Sequence, residues 1–198
     1  SGMRTLARSL LVTAVVFAGS LGAARAETAA LIGTGNVGAA LGQRFAENGH
    51  EIVYGSRNPA ATDVRELLEK TGHGAVAVTP AEAAARGDIV VIAVPWSAAE
   101  DVVRGLGELR GKIIVDPTNP RVMASDGFAD YPIDDAVAER LARLAPGAHV
   151  VKAFNTLGAE TMLDPRVANG PVTIPLVGDD RAAKARVAAL AREIGLRS

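Results

Sequence analysis

The chain has 198 residues, a formal net charge of −1 and no cysteine. The missing thiols exclude disulfide bonds, thiol catalysis and cysteine-ligated metals, and the balanced charge argues against a nucleic-acid partner because no basic excess is present to meet phosphates. Only 4% of the residues are aromatic and 48% are hydrophobic, a composition that favours a parallel sheet of small and branched residues covered by helices.

The first 26 residues differ from the rest of the chain. Residues 1–2 precede a methionine and are interpreted as an expression scar. Residues 3–26 have the layout of a secretory signal peptide, with a basic start, a short apolar run and an Ala-Arg-Ala sequence that predicts cleavage after Ala26. This pattern favours an exported, periplasmic protein whose folded domain comprises residues 27–198.

Other interpretations of residues 3–26 stay open. The segment also fits an uncleaved anchor in the membrane, or an N-terminal apolar helix that packs on the domain or on a second subunit. The apolar run is short and interrupted by glycine and serine, which disfavours a membrane span. A cytoplasmic location is the alternative to export.

A Gly-x-Gly-x-x-Gly turn lies between a predicted strand at 29–32 and a predicted helix that begins near residue 37. The first glycine permits the tight turn, the second lets the backbone approach a pyrophosphate, and the third lets the helix pack close to the strand. The helix N-terminus offers free N–H groups to phosphates. The turn predicts a dinucleotide-binding site that comprises Gly33, Thr34, Gly35, Asn36, Val37 and Gly38.

The next predicted strand, 51–54, is followed by the sequence Gly-Ser-Arg-Asn. NAD-binding proteins usually carry an acid at this point to accept hydrogen bonds from the ribose 2′-hydroxyl, but the first carboxylate here is Asp63. Arg57 can instead pair with a 2′-phosphate and stack on adenine, and Ser56 and Asn58 can donate further hydrogen bonds. We therefore predict NADP(H) as the cofactor. A simple polar turn before the next helix is the alternative.

Strands and helices alternate along the rest of the chain. A capping box at Thr79 and Glu82 predicts one helix start, and Ser97 is expected to cap another. Helices are predicted at 61–70, 80–86, 97–106, 133–144 and 180–194, strands at 73–78, 88–94, 112–115, 149–154 and 172–177, and a polar loop at 123–131. This alternation is typical of an α/β fold, a doubly wound parallel sheet in a single domain.

Ligands of such sheets bind beyond the carboxyl ends of the strands, so residues at strand ends are site candidates. Trp96 is either a wall of the site or core packing, and Asn119 either lines the cleft or caps a loop between two prolines. Asp116 is either a site residue or a turn former before Pro117. None of the three histidines ends a strand, so surface or turn positions are expected for His50, His73 and His149.

Four motifs together resemble the coenzyme F420-dependent NADP oxidoreductase family. They are the glycine turn at 33–38, Tyr-Gly-Ser-Arg at 54–57, Ala-Val-Pro-Trp at 93–96 and Lys-Ala-Phe-Asn-Thr at 152–156. The resemblance extends from about residue 29 to residue 194. It implies a single NAD(P)-binding Rossmann fold, often a homodimer, that transfers hydride between NADPH and the deazaflavin F420.

The resemblance also implies roles for single residues. Thr34, Ser56 and Arg57 match the family's NADP-contacting positions, and Val94 and Pro95 match the segment along the nicotinamide. No catalytic residue is assigned outright. The candidates for the redox face are Pro95, Trp96, Asn155 and Thr156.

Hydride transfer between two cofactors needs no strong general acid or base, because the cofactors carry the chemistry. The same domain type resembles the reductase module of metalloreductases, which pass electrons from NADPH to a flavin, so a flavin is an alternative acceptor. A second hypothesis is a non-catalytic NADPH-binding or redox-sensing module, or a subunit that needs a partner to complete the acceptor site. The sequence ends at Ser198, whereas family members continue with a strand and a helix that help close the deazaflavin pocket, which favours this second hypothesis.

Overall fold

The computed structural model describes residues 26–120, 122–123, 125–127, 129–130 and 137–198. The predicted scar, residues 3–25 of the predicted signal segment and the first four residues of the helix predicted at 133–144 lie outside the described residues. The domain boundary at Glu27 therefore stays a prediction. Within the described ranges, no helix combines the length and the apolar character that a membrane crossing requires.

Strands in the described chain form one large sheet and one small hairpin. Their bounds are β1 Thr28–Ile32, β2 Glu51–Gly55, β3 Val76–Val78, β4 Ile89–Ile92, β5 Ile113–Asp116, β6 Val122–Met123, β7 Ala129–Asp130 and β8 His149–Lys152. Six of them pair in parallel in the order β3-β2-β1-β4-β5-β8, and β6 pairs with β7 in an antiparallel hairpin. The order reverses between β1 and β4, so the predicted doubly wound sheet of the Rossmann fold is confirmed.

Helices cover both faces of this sheet. Their bounds are α1 Asn36–Glu47, α2 Thr62–Thr71, α3 Pro80–Arg86, α4 Trp96–Arg104, α5 Val137–Leu144, α6 Ala159–Leu163 and α7 Arg181–Glu193, with a 3₁₀ turn at Pro165–Val167. One core cluster joins α1, α6 and α7 to one face, and a second joins α3, α4 and α5 to the other. Every residue of β4 is buried, as its continuous apolar sequence predicts for a central parallel strand.

Helix caps agree with the sequence at one position and differ at another. Thr79 and Glu82 form the predicted capping box: each side chain accepts a hydrogen bond from the other residue's backbone N–H. The cap predicted at Ser97 is wrong, because α4 begins at Trp96 with Pro95 in the N-cap position. The earlier start brings Pro95 and Trp96 to the helix N-terminus, beyond the end of β4.

The strand predicted at 172–177 is also wrong. Only two isolated bridges form there, between Thr173 and Arg197 and between Val177 and Lys152. Pro175 lies between the two bridges and has no N–H to donate to a ladder. The segment is therefore extended without becoming a strand of the sheet.

His50 does lie in the predicted helix–strand turn, but its side chain is buried. Its Nδ1 accepts a hydrogen bond of 3.2 Å from the Glu27 backbone N–H, and its Nε2 lies 2.6 Å from a carboxylate oxygen of Glu193 at the end of α7. Glu27 also pairs with Arg186 of the same helix. These contacts attach the start of β1 to the last helix, so His50 has a structural role.

Burial of Tyr54 predicts a pH effect on stability. Its hydroxyl donates to Thr71 Oγ1 over 2.8 Å, and burial raises its pKa from 10.0 to about 12. The raised pKa means that the protonated phenol stabilises the fold fully below pH 10.0 and that this contribution is lost as the pH rises toward about 12. A Tyr54→Phe variant should lose about 1 kcal/mol at neutral pH and show a shallower alkaline decline in Tm by calorimetry. An equal decline in both proteins would contradict this.

Candidate functional site

Two adjoining cavities lie beyond the carboxyl ends of the central strands. The β2-side cavity, about 390 Å³, is lined by residues that follow β1 and β2. The β5-side cavity, about 430 Å³, is lined by residues that follow β4, β5 and β8. The residues that line both cavities are Gly35, Ala93, Val94 and Pro95. One cleft therefore crosses the point where the strand order reverses, which is where doubly wound sheets bind their ligands.

A side chain would fit at one glycine of the turn and would clash with the backbone at the other two. Gly33 has a φ of +114°, and a Cβ there would collide with the Ala93 carbonyl. A Cβ at Gly38 would collide with the Gly33 carbonyl, so α1 packs directly on the turn. A Cβ at Gly35 would meet no atom within 4 Å, because this glycine faces the open cleft. A ligand can therefore approach the backbone of Gly35.

The N-terminus of α1 opens into the same space. Its N-cap residue is Gly35, which has no side chain to cap the helix. In the described part of the chain, no group accepts a hydrogen bond from the backbone N–H groups of Asn36, Val37 or Gly38. These free donors and the positive end of the helix dipole favour an anion. The predicted pyrophosphate contacts thus have both the space and the donors that they require.

The turn after β2 forms the rim of the β2-side cavity. The Ser56 backbone N–H donates to the Val78 carbonyl over 2.9 Å, and the Asn58 N–H donates to Ser56 Oγ over 3.2 Å. These bonds fix the turn and leave Arg57 exposed on the cavity lining. The Arg57 guanidinium forms no hydrogen bond or ion pair with any described residue. It is available to a phosphate from outside the chain.

The start of α2 is a part of this cavity that the sequence analysis missed. Ala61, Asp63 and Val64 line it, and the N-cap residue Ala61 provides no side-chain hydrogen bond to the helix. A predicted helix that starts without a capping side chain, shortly after Arg57, was the signal in the sequence. The start of this second helix lines the same cavity as Arg57, and the N–H groups of its first turn, which have no acceptor among the described residues, favour an anion such as a 2′-phosphate. Asp63 contributes the one carboxylate among the described lining residues.

None of the described residues that line the β5-side cavity has a charged side chain. Its larger side chains are apolar or neutral and polar: Val37, Val94, Pro95, Trp96, Pro117, Leu157, Asn36, Thr118, Asn119 and Asn155. Three predicted redox-face residues, Pro95, Trp96 and Asn155, thus meet in this cavity. Trp96 also packs against one core cluster, and its role as a wall of the redox site stays a prediction. The fourth candidate, Thr156, is exposed and is not among the residues that line the cavity.

Asp116 is a turn former rather than a ligand group. It is fully buried, and its Oδ1 accepts hydrogen bonds from the backbone N–H and the hydroxyl of Thr118. Its Oδ2 lies 3.2 Å from the ammonium group of Lys152 at the end of β8. Sequence reasoning did not select Lys152 as a site residue. The signal was a pair of opposite charges at the ends of two strands, but the sequence does not show that these strands are neighbours.

Known proteins resemble this chain in sequence and in fold. Residues 28–120 match the family model of NADP oxidoreductases that are coenzyme F420-dependent. The chain is 34% identical over 155 residues to the F420-dependent NADP reductase of Methanothermobacter marburgensis, across 73% of this chain and 68% of that protein. A crystal structure of a putative F420-dependent NADP-reductase from Arthrobacter sp. FB24 matches with a TM-score of 0.78 and 32% identity, over 87% of this chain and 82% of that one.

The chain belongs to the coenzyme F420-dependent NADP oxidoreductase family. It is an NADP-dependent oxidoreductase, and NADP(H) is its cofactor. This oxidoreductase is also 31% identical over 172 residues to Metalloreductase STEAP3 of Rattus norvegicus, across 83% of its own length but only 32% of that protein. The contacts that the sequence predicts for single residues of the oxidoreductase stay predictions.

Proposed function

We propose that this oxidoreductase transfers hydride between NADPH and the deazaflavin F420, with the F420 ring in the β5-side cavity. The observation that carries the proposal is the uncharged described lining of that cavity. A keto acid or imino acid would bring a carboxylate that needs a cation when it is desolvated. A planar ring system needs apolar walls and a few hydrogen-bonding groups, which this lining offers.

Particular side chains suit the two halves of this reaction. NADPH supplies the hydride when bound, with its phosphates at the N-terminus of α1. Val94 and Pro95 line both cavities, so they are suited to hold the nicotinamide at the junction of the two cavities. The amides of Asn119 and Asn155 can hydrogen-bond to the polar edge of an acceptor ring. The protein thus contributes position and exclusion of water, and the cofactors contribute the reactive atoms.

A flavin is the second candidate acceptor. Its tricyclic ring is similar in shape, so the same lining accommodates it. The similarity to a protein named as a metalloreductase supports this candidate. The names of the methanogen and Arthrobacter relatives refer to F420 and favour the deazaflavin.

An assay of the purified protein distinguishes these acceptors. NADPH or NADH is mixed with F420, FMN or FAD, and the loss of each acceptor's visible absorbance is followed. We expect NADPH-specific reduction of F420. Turnover of FMN or FAD alone would replace the deazaflavin by a flavin. NADPH binding without turnover of any acceptor would contradict the proposal and favour a binding module or an incomplete subunit.

A pair of asparagine variants tests where the acceptor binds. Asn155→Ala should raise the KM for the acceptor about 10-fold, since a hydrogen bond to the ring is lost, and it should leave the Kd for NADPH unchanged. Asn48→Ala is the matched control, because Asn48 ends α1 and is not among the residues that line either cavity. Equal acceptor KM values in the two variants would remove Asn155 from the proposed site.

A further inference from the structure

Lys152 and Asp116 form an ion pair at the carboxyl end of the sheet. They are the last residues of β8 and β5, and they are direct partners in the parallel register of these strands. Asp116 is fully buried, and the Lys152 side chain is 18% exposed. A buried carboxylate is tolerated only when a partner neutralises it, so the position of one side chain depends on the other.

The pair fixes the turn that follows β5. Lys152 Nζ donates to Asp116 Oδ2 over 3.2 Å and to the Thr118 carbonyl over 2.7 Å. Asp116 Oδ1 accepts from the Thr118 N–H over 2.9 Å and from its hydroxyl over 2.6 Å. Both backbone polar groups and the hydroxyl of Thr118 are therefore engaged by two side chains. Pro117, Thr118 and Asn119, which form this turn, line the β5-side cavity.

The same pair borders the segment that follows β8. The Ala153 N–H donates to the Asp116 carbonyl over 3.2 Å. Phe154 has a φ of +66°, an unfavourable conformation for a bulky residue, and its ring packs edge-on against Phe45 at 6.3 Å. Such strain persists only where the surroundings impose it. The bend that results brings Asn155 into the cavity lining.

We propose that Lys152 is a positioning residue for hydride transfer: its side chain locks the turn after β5 into the wall of the acceptor cavity. This inference rests on the proposed function, because it assumes that the acceptor binds there. A buried ion pair is on balance no more stabilising than a well-packed apolar pair. The hydrogen bonds of this pair instead hold Thr118, which lines the cleft.

Lysine variants of the full chain test this role, with Lys112→Met as the matched control. Lys112 precedes β5, at the opposite end of the sheet, and its Nζ donates to the carbonyls of Ala85 and Gly87 over 3.2 and 2.6 Å. It is thus also a partly buried lysine that bonds to two carbonyls, but it is remote from both cavities. Lys152→Met should lower kcat/KM for the acceptor about 10- to 100-fold, as small misplacements of reacting groups do. The Kd for NADPH should change little.

Two further variants keep the test decisive. Lys152→Arg retains the charge and should restore much of kcat/KM. Lys152→Gln retains hydrogen-bond donors without the charge. If Lys152→Met fails to fold because Asp116 is left unpaired, the acceptor kinetics of Lys152→Gln are measured instead. For Lys112→Met we expect a lower Tm and unchanged acceptor kinetics. The same result for Lys152→Gln would overturn the proposal.

A readout that needs no acceptor separates this inference from the proposed function. Trp96 is the one tryptophan of the chain and lines the same cavity as Thr118. Acrylamide should quench its fluorescence more strongly in Lys152→Gln than in the wild type, because the part of the cavity wall formed by residues 117–119 is loosened, and Lys112→Met should match the wild type. If the wild type reduces no acceptor, the proposed function fails and this quenching alone decides the positioning role. Unchanged quenching would then overturn it.

Discussion

A Gly35→Val variant should fold normally and bind NADPH about 100-fold or more weakly, since a side chain there removes at least two hydrogen bonds to a charged group. Gly35 has φ −74° and ψ −170°, an extended conformation that valine adopts readily. A Cβ at this position contacts nothing within 4 Å. The new side chain therefore starts in open space and extends into the cleft where the pyrophosphate is expected.

The variant is measured by NADPH titration and by thermal unfolding without ligand. Gly158→Val is the matched control, because Gly158 is also an extended N-cap glycine, with φ −74° and ψ 154°, and also has open space around its missing Cβ. The two variants should have similar Tm values, and only Gly35→Val should lose NADPH. Unchanged NADPH affinity in Gly35→Val would contradict the fingerprint interpretation of residues 33–38.

The dinucleotide half of the cleft could be predicted because its information is local. The turn at 33–38 connects adjacent elements, and Arg57 follows the very next strand. The spacing of glycines and the missing acid were therefore sufficient to define this half. Even here the place of the α2 N-terminus in the cavity was missed, since a helix start without a capping side chain gives only a weak signal in the sequence.

The acceptor half depends on contacts between distant segments. Asp116 and Lys152 are 36 residues apart, and only the pairing of β5 with β8 brings them together. The turn position of His50 was predicted, but its burial was not, because its partner Glu193 is 143 residues away. Any sequence contains many side chains of opposite charge or with matching hydrogen-bond donors and acceptors. The actual pairs can therefore be identified only once the strand order and the position of α7 are known.

Arg57→Ala should weaken NADPH binding about 30-fold and NADH binding hardly at all, because a charge-assisted contact to the 2′-phosphate is lost. Arg57 lines the β2-side cavity and has no partner among the described residues. Within the described ranges, Arg57 therefore has no ion pair that must break before it binds phosphate or that is lost when it is removed. The substitution should therefore change cofactor selectivity without changing Tm.

Arg65→Ala is the control for a general effect of charge. Arg65 lies in the first turns of α2, close to the same cavity, but its guanidinium bonds to Thr62 Oγ1 and does not line the cavity. Kd values for NADPH and NADH are measured for both variants at low and high salt. Salt should weaken NADPH binding to the wild type more than to Arg57→Ala, since screening acts on the charge pair that the variant lacks. Equal losses of NADPH and NADH affinity in Arg57→Ala would exclude a 2′-phosphate contact and leave residues 56–59 as a polar turn.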